Sequence, residues 1–150
     1  MDSITVWQVS DTHLSASHGY FQDNWNEFVA LVDAQRPDLV VHSGDLSFNG
    51  PEAPDDLAYC KGQLDRLAVP WLAIPGNHDV GEPHTASRLG QHVSDERLAA
   101  WCAQMGREDF VVDVGGWRLV GINCEVLGSG LDGEVAQWRQ LEAALAERDG

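Results

Sequence analysis

Three short apolar runs each end in side chains that bind metals, and this repeated pairing limits the fold more than any other feature of the chain. Val6-Trp7-Gln8-Val9-Ser10 leads into Asp11-Thr12-His13, and Leu39-Val40-Val41-His42-Ser43 leads into Gly44-Asp45. Trp71-Leu72-Ala73-Ile74 reads as a buried strand and leads into Pro75-Gly76-Asn77-His78-Asp79, where Pro75 and Gly76 turn the chain. In open α/β sheets ligands bind outside the carboxyl ends of the strands, so the three clusters are expected to converge on one site. A single Asp at a strand end more often just satisfies nearby backbone groups. Three such ends in series make a site the better reading.

The segments between these runs fit a β-α-β arrangement. The first strand spans residues 4–9. Asn24 is the expected helix N-cap, with Glu27 three residues later as in a capping box. Trp25, Phe28, Leu31 and Val32 follow at helical spacing. A second helix carries Leu57, Cys60, Leu64 and Leu67 on one face, and Pro70 opens the third strand. Crossovers of this kind imply parallel strands. Residues 80–93 read as a polar loop. Ser94 then caps a helix with an apolar stripe of Leu98, Trp101, Cys102 and Met105, closed by Gly106. Residues 110–114 and 117–124, split by Gly115-Gly116, read as a β-hairpin. A last helix starts near Asp132 with Val135, Trp138, Leu141 and Leu145 on one face, and Gly150 reads as its C-cap. The six tryptophans are expected mostly in the core.

Charge narrows the partners. Nine Lys and Arg face 24 Asp and Glu, for a formal net charge of −15. No basic nucleic-acid footprint exists, so duplex DNA is disfavoured and a small phosphorylated substrate is favoured. A bound cation can still attract one phosphate locally. Cys60, Cys102 and Cys124 form no C-x-x-C pair and are odd in number, which argues against a disulfide framework or a zinc-thiolate site. With no charged start before an apolar run, and no apolar stretch of transmembrane length, the expected location is the cytoplasm, away from membranes. Oligomeric state is left open.

Asp11, His13, Asp45 and Asn77 are oxygen and nitrogen donors of the kind that suits Mn, Fe or Zn. Asp-x-His (Asp11, His13), Gly44-Asp45 and Gly76-Asn77-His78-Asp79, in this order, resemble the calcineurin-like metallophosphoesterases. The words around Asp11 and Asp45 look most like the branch containing bacterial cyclic-nucleotide phosphodiesterases. The resemblance covers essentially the whole chain but only the first part of the family's domain. It implies a layered α/β metallophosphoesterase fold, present as its N-terminal portion, over residues 1–150. It also implies two divalent metals: Asp11 and His13 on the first, Asp45 bridging, Asn77 on the second. Such a pair, roughly 3.5–4 Å apart, binds a hydroxide and clamps a phosphoryl group during in-line displacement. His78 would be the catalytic proton donor to the leaving oxygen, not a ligand, and Asp79 would orient its imidazole.

The implied activity is hydrolysis of a phosphodiester such as a cyclic nucleotide. A phosphomonoesterase, or a non-catalytic binding or regulatory domain of the same fold, is the alternative. The remaining histidines read more plainly. His42 is expected packed beside the second strand, His18 exposed in its loop, and His84 and His92 solvated. No histidine follows His92, whereas the family carries later histidines that complete both metal shells. The chain is therefore expected to be cut short or to be a degenerate member.

Overall fold

The computed structural model describes residues 3–83 and 90–146. His84 and the C-cap expected at Gly150 lie outside the described residues. Strands β1 (Val6–Val9), β2 (Leu39–His42) and β3 (Trp71–Ala73) form one parallel sheet in the order β1-β2-β3. Helices α1 (Gln22–Gln35) and α2 (Pro54–Leu64) make the crossovers. A single turn, α3 (Asn77–Val80), precedes α4 (Asp95–Met105). The hairpin β4 (Phe110–Val114) and β5 (Trp117–Gly121), a 3-10 turn (Cys124–Val126) and α5 (Asp132–Ala146) follow.

The register of the parallel sheet builds the site. Val9 lies opposite His42, and His42 opposite Ala73, so the three strands end level with one another. Backbone pairing then runs on past the strands. Asp11 N donates to Gly44 O at 3.1 Å, His13 N to Asp45 O at 3.1 Å, and Leu14 N to Leu46 O at 2.7 Å. The ligand-bearing loops are thus held by the same ladder that aligns the strands.

One core packs beneath them. Trp25, Val29 and Val32 of α1 recur at helical spacing and are buried with Val40, Leu57, Cys60, Leu64 and Trp101. Each fully buried Val or Leu contributes roughly 1.5–3 kcal/mol. Ser94 caps α4 as its residue type predicts, accepting from Arg97 N, and Gly106 ends that helix at φ 87°.

Several local expectations are corrected. Helix α1 starts at Gln22, and its N-cap Phe21 makes no side-chain cap bond; Asn24 and Glu27 lie inside the helix. Tertiary bonds set that start: Gln22 accepts from Tyr59 Oη at 2.6 Å and donates to Gln63 Oε1 at 3.0 Å, tying the first turn to α2. Leu31 is 51% exposed and Val29 takes its inward place. In β3 only Ala73 is buried, because the strand is a sheet edge and Lys61 covers Trp71 across its ring. β5 stops at Gly121, where a side chain would overlap the Phe110 ring, and Cys124 is exposed beyond it.

The stripe expected on α5 is not its buried face. Val135, Trp138 and Leu145 are about half exposed, and Gln137 and Ala144 are buried instead. Polar contacts choose this face: Gln137 accepts from Asn123 N at 2.6 Å and donates to Asn123 O at 3.1 Å. Arg118 Nη1 donates to Ala144 O at 2.8 Å. The tryptophans divide accordingly, with Trp25 and Trp101 buried, Trp7 and Trp71 half-buried, and Trp117 and Trp138 exposed. His92, expected in solvent, is half-buried, and its carbonyl accepts from Arg97 Nη1 at 2.6 Å.

Asp79 locks the ends of β2 and β3 together. Its carboxylate is 1% exposed. Oδ2 accepts from Leu46 N at 3.1 Å and Gly76 N at 2.9 Å, and Oδ1 from Ser47 N at 2.7 Å, with Ser47 Oγ at 2.8 Å. Burial pushes this carboxyl up to about 6, while the bonds from Gly76, Ser47 and Leu46 pull the other way. A carboxylate accepts on both oxygens, whereas an amide turns an N–H₂ toward half of these donors. Asp79→Asn is therefore expected to cost on the order of 3 kcal/mol of stability. Urea unfolding should show a lower midpoint with an unchanged slope.

Candidate metal centre

Asp11, His13 and Asp45 all sit in the left-handed backbone region, at φ 57°, 43° and 55°. Among the described residues the other non-glycine residue there is Arg36, which terminates α1. Such conformations cost energy, and they cluster where function requires them. Short polar residues tolerate them best, which helps the two aspartates more than His13. Gly44, at φ 114°, precedes Asp45 and packs against Gly76, where an added Cβ would lie 3.1 Å from Gly76 Cα. A Cβ at Gly76 would in turn overlap the Asp45 carboxylate and backbone. Two glycines thus let the ends of β2 and β3 close onto each other.

The closure gathers His13, Asp45 and His78, whose ligand atoms all lie within 4.8 Å of one another. The His13 and His78 rings meet edge to face at 4.5 Å. Asp11 stands beside them, its Oδ1 3.9 Å from His13 Nε2, with its side chain 68% exposed. Asn77 opens α3 immediately before His78. The structure thus brings His78, expected outside the ligand set, into the same cluster as His13 and Asp45.

His78 is oriented by backbone. Its Nδ1 lies 2.8 Å from Phe48 O, and a carbonyl can only accept, so Nδ1 carries the proton and Nε2 is left free. His78 N also donates to Asp45 Oδ1 at 3.0 Å. The expectation that Asp79 orients this imidazole is corrected. Both Asp79 oxygens are turned away from it, onto the backbone of the β2 and β3 loops.

His42 is packed at the base of the site, 1% exposed, with Nε2 2.9 Å from Thr12 Oγ1. Burial lowers it to about 3, against an upward pull from Asp11 and with a further push down from His13. It is a neutral ring that holds the loop between Asp11 and His13. Glu125, on the 3-10 turn after β5, belongs to none of the strand-end motifs. Burial first, then the charges of Asp45, Glu82 and Asp79, raise it to about 7. No spacing in the sequence connects it to the three strand ends; only the tertiary fold does.

The donor set fits a divalent cation. It is made of imidazole and carboxylate, which suit borderline to hard metals. His13 Nδ1 is buried without a hydrogen-bond partner, and the charges of Asp45, Glu82 and Asp79 raise the affinity of Glu125 for a proton. A cavity of about 210 Å³ opens beside Asp11, lined also by Ser10, Thr12, Phe21, Asn24 and Phe28.

The chain is 26% identical over 148 residues to the "Probable glycerophosphodiester phosphodiesterase" of Arcobacter nitrofigilis, covering 91% of this chain and 50% of that protein. It is 27% identical to the 3',5'-cyclic adenosine monophosphate phosphodiesterase of Pseudomonas aeruginosa, covering 85% and 44%. It is 30% identical to the DNA double-strand break repair protein Mre11 of Haloferax volcanii, covering 79% and 27%. The chain thus spans about half the length, or less, of these relatives. The sequence profile of the calcineurin-like phosphoesterases matches residues 4–142, and the chain belongs to that family.

Proposed function

We propose that this chain carries metal-binding residues of a phosphodiesterase acting on a small substrate such as a cyclic nucleotide. The observation that carries this is the meeting of His13, Asp45 and His78 within 4.8 Å, at level ends of parallel strands, in a calcineurin-like phosphoesterase. Asp11 and His13 would hold a first divalent ion, Asp45 would serve both ions, and Asn77 would serve a second, with Mn, Fe or Zn as the fitting metals. When bound, the pair supplies positive charge that polarises a phosphoryl oxygen and acidifies water.

The chain's own groups do the rest. His78, held through Nδ1 by Phe48 O, presents Nε2 for a proton carried to the leaving oxygen. Asp45 is aimed by the His78 N–H, which couples ligand and proton carrier in one unit. The charge of −15 favours a small phosphoester over the DNA that one relative's name implies, because a polyanion is repelled at range. Among the described residues no helix is long and apolar enough to cross a membrane, and the three cysteines are free. A cytoplasmic location is part of this proposal, and the odd number of cysteines without a C-x-x-C pair supports it.

Metal binding tests the centre directly. Mn²⁺ at a hundred times its Kd should stabilise the chain by about 2.7 kcal/mol. For a chain of 150 residues this is a rise in Tm of roughly 5–10 °C. Asp45→Asn should abolish the rise. Asp11→Asn should only reduce it, because Asp11 is the more exposed and stands beside the cluster. Equal effects of the two substitutions on a calorimetric titration would remove the shared role of Asp45.

His78→Ala tests the proton. In a hydrolytically active protein carrying this segment, the loss should be about 10²–10⁴-fold on an alkyl phosphodiester. It should be much smaller on a nitrophenyl ester, whose leaving group needs no proton. Equal losses on both would assign His78 to metal binding instead.

A further inference from the structure

Beyond the metal-binding residues, a run of aromatic rings leads outward from His13. Phe21 lies 6.0 Å from His13, Tyr20 6.5 Å from Phe21, and Phe48 6.1 Å from Tyr20, between ring centroids. His18 stacks on Tyr20 at 5.5 Å and 26° and faces Phe48 at 5.5 Å and 30°. Tyr20 is 71% exposed and Phe21 39%. Large rings left in water beside a site call for an explanation that scattered surface residues do not.

The loop holding these rings is fixed. Buried Asp56 accepts from Ser15 Oγ and Ala16 N, both at 2.9 Å. His18 N donates to Ser15 Oγ at 3.2 Å, and its ring Nδ1 lies 2.9 Å from Ser17 Oγ. On the other side, Phe48 N donates to Leu14 O at 2.8 Å, and Phe48 O holds the imidazole of His78. Phe48 is therefore positioned by the same backbone that positions His78, while the loop leading to Tyr20 is anchored to Asp56.

We propose that Tyr20, Phe21 and Phe48 form a stacking wall for a flat ring carried by the substrate, so that the site selects nucleotide esters over glycerol-type esters. This rests on the phosphoester reading given above and adds the residues that choose the alcohol. Ring stacking tolerates any π-face, and an aromatic wall gives a glycerol chain nothing comparable to stack against.

The test is calorimetric binding of three probes to the Mn²⁺-loaded chain: inorganic phosphate, glycerol 3-phosphate and AMP. AMP should bind more tightly than glycerol 3-phosphate. Tyr20→Ala should weaken AMP by about 5- to 150-fold, the range for losing one ring stack, and leave inorganic phosphate unchanged. Tyr20→Phe should keep the preference. Because Tyr20 is largely exposed, neither change should impair folding, which an unchanged Tm would verify. Equal affinity for AMP and glycerol 3-phosphate, or a Tyr20→Ala loss shared by all three probes, would overturn the wall while leaving the phosphoester reading standing. Failure of inorganic phosphate to bind the metal-loaded chain would defeat that reading and the wall with it.

Discussion

A buried carboxylate with three backbone N–H donors holds two strand ends at one distance and one angle. Asp79 does this between the loops after β2 and β3. Burying a charge is costly unless hydrogen bonds replace its water, and here they come from Leu46, Ser47 and Gly76. Those three residues flank Asp45 and Asn77. The group that the family pattern links to His78 acts instead as the fastening for the residues that would bind metal. The Asp45 side chain accepts from the His78 backbone N–H, the His13 ring meets the His78 ring, and the atom that sets the ring's tautomer is a main-chain oxygen.

Around this fastening, strain and charge accumulate in the same place. Asp11, His13 and Asp45 all occupy left-handed backbone, and the charges of Asp45, Glu82 and Asp79 act on Glu125. Neither feature favours the fold by itself. On the proposed reading a bound cation would offset the charge and use the side chains that the unusual backbone directs. Metal binding at this centre would then be linked to folding and would stabilise the strand ends.

The aromatic rim belongs to the same economy of backbone. Phe48 holds the His78 ring through its carbonyl and meets Tyr20 with its own ring, so the loop after β2 connects the two proposed roles, proton transfer and ring stacking. His18, which reads from sequence as a solvated loop residue, stacks on Tyr20 because Asp56, distant in sequence, anchors its loop.

Much of this was legible in residue order. Strand-end clusters at Asp11, Asp45 and Asn77 imply parallel strands opening onto one site, because side-chain chemistry follows directly on an apolar run. Ser94 and Gly106 mark the ends of α4 because capping is local. What proved illegible depended on contacts between distant segments. The start of α1 follows Gln22 reaching to Tyr59 and Gln63, not the Asn24 cap. The inward face of α5 follows Gln137 bonding to Asn123, not its apolar stripe. Asp79 serves backbone donors from the neighbouring loop, and Glu125 enters the field of Asp45 from a turn with no motif. The sequence by itself determined which residue types stand at the strand ends, since that is a matter of order along the chain. Tertiary structure decided which atoms meet there, because hydrogen-bond geometry and desolvation depend on neighbours that only folding supplies.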